Sequence, residues 1–145
     1  MKRSYKNSGF AGEMLVAAEL SRLGYEVLLG NVGTKRTVGV DLAAVDPVTG
    51  RTVSVSVKSV REPGAFRIDP EHVCPRAVYV FVITHEAGQS PEFFVVRGEW
   101  LLDNDKEMWG KWGKAYEHPT RRGVRPKRLE MWRNKWDVID VRDDD

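Results

Sequence analysis

The sequence predicts a single mixed α/β domain with the element order α-β-β-β-α-β-β-α. Three observations lead there. Residues 8–24 place apolar side chains at helical spacing and end at Gly24. Five strand-like runs follow, at 25–29, 38–45, 52–60, 77–84 and 92–97. The length, 145 residues, suits one domain with its own core and no need of a disulfide or metal to hold it.

Taken in order, the first helix gathers Phe10, Met14, Val16, Ala17, Leu20 and Leu23 in one broad arc. Glu13 falls near the centre of that arc, while Glu19 and Arg22 fall opposite. A carboxylate there calls for a cation, a metal or a hydrogen-bond partner. The plainer alternative is an acid in the first turns, where the helix dipole favours it. The second and third strands are joined through Asp46-Pro47-Val48-Thr49-Gly50-Arg51, a tight turn marked by Pro and Gly. Closing it with Asp46 opposite Arg51 sets Val40, Leu42 and Ala44 against Val57, Val55 and Val53, one apolar face. Asp41 then falls opposite Ser56, with Lys58 diagonal to it. These three form either a surface ion pair on a solvated face or a polar site.

Asp69-Pro70 predicts a short helix near 70–74. Residues 98–112 read as partly helical, although Gly110 and Gly113 interrupt them. The stretch 117–125 reads as a loop. Pro126 opens a helix to about 136, with Leu129, Trp132 and Trp136 on one face.

Composition limits the function classes. Apolar residues at 41% and charged residues at 30% exclude a fully disordered chain. The longest apolar run, Ala77 to Ile83, is seven residues, far short of the roughly 20 of a membrane span. Met1-Lys2-Arg3-Ser4-Tyr5-Lys6 has no apolar stretch after it, so no secretory leader is expected. A single cysteine, Cys74, suits a cytoplasmic protein and is expected to be a small packing residue. With only three histidines beside it, a structural zinc site is not expected.

Net charge is only +2, but residues 106–136 hold ten Lys or Arg against three acids, and residues 137–145 hold five Asp and one Arg. All five Trp lie after residue 99. The chain therefore divides into a core at 8–97, a basic Trp-rich extension at 98–136 and an acidic tail at 137–145, within one domain of 1–145. Basic residues interleaved with aromatics suit nucleic acid. They are equally what inward-packing Trp with solvated cations would give, and most of these Trp are expected to pack inward.

The ordered set Gly9-Phe10-Ala11-Gly12-Glu13, Gly39-Val40-Asp41-Leu42 and Val55-Ser56-Val57-Lys58-Ser59 resembles the PD-(D/E)XK nuclease superfamily. The likeness is to the Holliday-junction-resolvase-like and uncharacterised endonuclease-like branches and covers about residues 8–97. It implies a restriction-endonuclease-like core and metal-dependent hydrolysis of DNA phosphodiester bonds. By this resemblance Glu13, Asp41, Ser56 and Lys58 occupy the catalytic positions. Glu13, Asp41 and the carbonyl of Val57 would hold Mg, or Mn, and Lys58 would orient the attacking water. Hydrolysis needs such groups, since water must be activated and phosphoryl charge neutralised. Ser56 departs from the family, which usually has Glu or Gln there. A bridging water, a shift of Glu62 or Asp69, or loss of cleavage are the open outcomes. Duplex or branched DNA is the expected partner, with a homodimer expected if two cuts are made. Its phosphates are assigned to Lys35 and Arg36 in a glycine-bearing loop, and to Arg121, Arg122, Arg125, Lys127 and Arg128. The alternatives are a catalytically weak or inactive DNA-binding module of the same fold, or a protein-interaction module using exposed Trp and the acidic tip.

Overall fold

The computed structural model describes residues 8–30, 41–110 and 123–140. Helix α1 (Ser8–Arg22) ends as its glycine predicts. Gly24 adopts φ +99°, its N–H bonds Ser21 O, and the N–H of Tyr25 bonds Leu20 O. This pair of reverse bonds satisfies carbonyls that a helix end leaves open. The chain emerges directly into β1 (Glu26–Leu29).

Strands β2 (Leu42–Val45) and β3 (Thr52–Val60) form the expected hairpin in the expected register, with Leu42 opposite Val55 and Ala44 opposite Val53. Asp46 Oδ1 accepts the N–H groups of Val48 and Thr49, and Gly50 takes φ +74°. The turn is thus built by an aspartate side chain standing in for backbone. After β4 (Phe66–Arg67) and a 3-10 turn at Pro70–His72 come β5 (Val78–Ile83) and β6 (Glu92–Arg97). Five strands make one sheet in the order β1-β2-β3-β5-β6, antiparallel except for the β3–β5 pair.

The sheet is covered on both faces, which explains why β5 is buried along its whole length. Val78, Val80 and Val82 join Val55, Val57, Val16 and Leu20 under α1. Tyr79, Phe81 and Ile83 face the other way, under Phe66, Val124, Leu129, Leu101 and Met108. That second cover comes from β4 with β7 (Gly123–Val124), from α2 (Gly98–Asp103) and α3 (Asp105–Trp109), and from a 3-10 helix at Pro126–Trp132.

Several expectations are corrected. Phe10 and Leu23 are 65% and 49% exposed, because the stripe that meets the sheet is Gly12, Val16 and Leu20. Glu13 therefore flanks the buried stripe rather than centring it, and is half-buried. Gly123 and Val124 are a strand pairing with Phe66 and Arg67 instead of part of a loop. The helix expected over 126–136 is a 3-10 helix that stops at Trp132, with a second 3-10 turn at Trp136–Asp140. The reason is tertiary. Arg133 is extended and bridges Phe94 of β6, and Asn134 (φ +53°) donates its N–H to Phe93 O. Covering the β6 edge outweighs continuing the helix. Val138 and Ile139 are buried beneath the α1 face, so the start of the assigned acidic tail belongs to the core. Cys74 is exposed and is not a packing residue.

The inward reading of the tryptophans holds for Trp100, Trp109, Trp132 and Trp136, which pack against the two clusters. Trp112 lies outside the described residues. Among the described residues no helix is long and apolar enough to cross a membrane.

Candidate active site

The site forms at the start of β2, where it lies beside β3. Asp41 stands immediately before β2, and its N–H donates to Val55 O. Its Oδ2 accepts the backbone N–H of Val57 at 2.7 Å and the hydroxyl of Ser56 at 3.4 Å. A side chain has thus taken the place of a strand carbonyl as the partner of Val57 N–H. Both Asp41 and Ser56 are buried, at 5% and 2% exposure. Burial of a carboxylate is tolerable here because backbone N–H and hydroxyl donors meet it.

In an extended strand the N–H and C=O of one residue lie on the same edge. Val57 therefore turns its carbonyl oxygen to the same side as the N–H that Asp41 receives. Two hard oxygen donors, a carboxylate and a carbonyl, thus lie on the β2 side of β3.

Ser56 and Lys58 project to the face opposite α1, level with Tyr79 and Phe81 on β5. Lys58 is half-buried. The Tyr79 hydroxyl accepts the N–H of Cys74 at 2.8 Å. Burial pushes the Tyr79 phenol above its ordinary range, and the negative charge of Asp41 adds to that push. Tyr79 is the neighbour that sequence reasoning missed. Its one signal was the parallel pairing that sets it beside Ser56, and no local motif announces it.

Glu13 enters from elsewhere. A Cβ at Gly12 would lie 2.6 Å from both Cβ and Oγ of Ser59 and 3.7 Å from Val57 Cγ1. The helix thus runs against β3 at residues 57–59, and Glu13 follows that contact by one position. It does so from the face that Val57 and Ser59 share, whereas Ser56 and Lys58 point the other way. The structure accordingly brings Asp41, Ser56 and Val57 together and puts Lys58 on the Ser56 face. Glu13 reaches the same stretch of β3 from the opposite layer.

Among the described residues no group of three His, Cys, Asp or Glu side chains assembles as a metal cage. Glu62 is exposed in the turn after β3, and Asp69 is turned to His72 at 3.5 Å. Arg125, Lys127 and Arg128 are exposed beside Val124, on the layer covering the face of Ser56 and Lys58. Lys35, Arg36, Arg121 and Arg122 lie outside the described residues.

This fold is shared with a bacterial homing endonuclease, I-Ssp6803I, with a TM-score of 0.56 over 95% of this chain and 92% of that one. Sequence identity between them is 17%, so the likeness is one of fold. No protein-family model matches the sequence, and no curated protein does.

Proposed function

We propose that the protein is a metal-dependent endonuclease of PD-(D/E)XK type that hydrolyses phosphodiester bonds in duplex DNA. The observation that carries this reading is the closure of Asp41 onto the Val57 amide beside Ser56 and Lys58, on a fold that a homing endonuclease also uses. The donor chemistry fits a hard divalent cation. Magnesium takes oxygen ligands, keeps several waters, and is commonly held by one or two carboxylates together with substrate phosphates. Asp41 and the Val57 carbonyl would hold the ion, with Glu13 reaching it or its waters from the α1 side. Bound there, magnesium or manganese lowers the pKa of a coordinated water and neutralises phosphoryl charge.

The protein's own groups do the rest. The Val57 N–H fixes the Asp41 carboxylate, so its orientation costs little at the moment of reaction. Lys58 places a cation next to Val57 on the Ser56 face, where it orients the attacking water and balances the scissile phosphate. Ser56, short and neutral, donates to Asp41 instead of supplying a third charge.

The test is cleavage of duplex DNA with Mg²⁺ or Mn²⁺, with Asp41→Ala and Lys58→Ala alongside. Metal-dependent products from the wild type, lost in both variants, support the reading. Activity that survives Asp41→Ala sinks the assigned mechanism. A second reading, a DNA-binding module without cleavage, is favoured by the lack of a three-acid cluster among the described residues. Salt-sensitive DNA binding with no products in either metal would select it.

A further inference from the structure

The layer that covers the Ser56 and Lys58 face carries cations with no acid tied to them. Its two-stranded ribbon pairs Phe66 with Val124 and Arg67 with Gly123. Alternation decides the faces. Phe66 and Val124 are buried, so Arg67 and the still-extended Arg125 stand on the outer face, and both are exposed. They lie diagonal to each other across the ribbon, about 7–8 Å apart. The 3-10 helix that follows has a period of three. Leu129 and Trp132 therefore turn inward, while Lys127 and Arg128 are exposed.

Segment 123–129 thus brings three cations and no acid. Among the described residues, Arg67, Arg125, Lys127 and Arg128 make no ion pair. The acids that border them stand apart or are engaged. Glu62 is in the turn before β4, Asp69 is turned to His72, and Asp105 and Glu107 are on α3. Glu130 is held by Arg133 at 2.8 Å. Helix α1, on the opposite face of the sheet, differs: its one cation, Arg22, is paired with Glu19 at 2.7 Å. The ribbon is also next to the candidate active site. The Phe66 ring lies 5.1 Å from the Phe81 ring, centre to centre, and Phe81 is level with Lys58 on the same face.

We propose that duplex DNA lies on the outer face of the β4–β7 ribbon and the 3-10 helix after it. Arg67, Arg125, Lys127 and Arg128 hold its phosphates, and the duplex meets Asp41 from the Lys58 side, not from α1. Charge complementarity selects a polyanion; that the polyanion is DNA rests on the proposed function. Arginine forks take phosphate oxygens two at a time, and a nucleic-acid backbone offers them at regular intervals. Such contacts fix orientation without reading sequence. The ribbon then sets the side from which the cut strand enters, the side on which Lys58 balances the scissile phosphate.

The experiment measures affinity for a duplex oligonucleotide over a salt series, on the full chain. Divalent metal is left out, which separates binding from cleavage. The proteins are the wild type, Arg67→Lys, the Arg67→Gln/Arg125→Gln double variant and Arg22→Gln. All three arginines are exposed, so their replacement leaves the core alone, and urea midpoints check this. Cleavage by the wild type with Mg²⁺ or Mn²⁺ is scored separately.

The double variant should bind about tenfold more weakly, with a log–log salt slope smaller by about 2. Arg67→Lys should keep the slope, since charge sets it, and Arg22→Gln should match the wild type. Salt-dependent binding that is equal in wild type and double variant, or that falls as far in Arg22→Gln, would overturn the ribbon and leave the proposed nuclease standing. A slope lost only in the double variant, in a protein that yields no products with either metal, would keep the ribbon and remove the nuclease reading. No duplex binding at low salt would overturn both.

Discussion

The carboxylate of Asp41 accepts the backbone N–H of Val57 at 2.7 Å, across a gap of 16 residues in sequence. One bond therefore ties the start of β2 to β3 and sets an acid on the same edge as a strand carbonyl. Asp41→Ala should cost stability as well as chemistry, because it leaves a buried N–H without its acceptor. A loss of about 1–3 kcal/mol is expected from urea unfolding. Asp41→Asn keeps an acceptor oxygen, so it should recover most of that stability and none of the metal uptake. Full metal binding by Asp41→Asn would break the link.

In the proposed cation site, Ser56 occupies the position of a third acid. Ser56→Glu is expected to tighten Mn²⁺ binding at least tenfold, read by calorimetry. In the wild type, binding should be weak alone and stronger with duplex DNA present, since phosphate oxygens then complete the octahedron. A Mn²⁺ affinity indifferent to both the glutamate and the DNA would argue against an ion at Asp41.

Much of this geometry was legible from residues alone. Matching Leu42 with Val55 and Ala44 with Val53 fixed the hairpin register, and with it the meeting of Asp41 and Ser56. Apolar alternation identifies such a register because a one-residue slip would bury the polar set. What could not be read is non-local. A helical wheel orders side chains around an axis but does not say which face of a sheet the helix will cover, so the layer from which Glu13 arrives was hidden. The two-residue strand Gly123–Val124 is too short to carry a period. The 3-10 path after Pro126 depends on Arg133 and Asn134 finding β6.

Gly12 lets α1 lie close on β3. Alanine is the better helix former by about 1 kcal/mol. The clash outweighs that gain, because Ser59 Cβ, at 2.6 Å, is fixed to the strand and cannot rotate away. Gly12→Ala should therefore destabilise the fold by about 1–2 kcal/mol net. Adding Ser59→Gly should restore part of the loss. A stabilised Gly12→Ala variant would mean that the helix stands further from the strand.

A charged network closes the far end of the sheet. Arg133 donates to Glu92 at 2.7 Å and pairs with Glu130, and His85 Nε2 lies 2.7 Å from Glu92 Oε2. The Arg133 guanidinium first, and His85 second, hold the Glu92 carboxyl below its ordinary 4.5. A depressed acid pKa means that the folded state binds the proton less readily than the unfolded one. Its stabilisation is thus present above the ordinary glutamate range and lost as pH falls through the lower, folded value. Arg133→Gln should lower the urea midpoint at pH 7, and the difference from wild type should shrink on acidification below about 4.5. A gap that stays constant down to pH 3 would contradict the linkage.

The most direct measurement is Mn²⁺ titration calorimetry on wild type and Asp41→Ala, each bound to duplex DNA. Binding in the wild type that disappears in a folded Asp41→Ala variant is the result this site geometry predicts. Equal binding in the two proteins would contradict it.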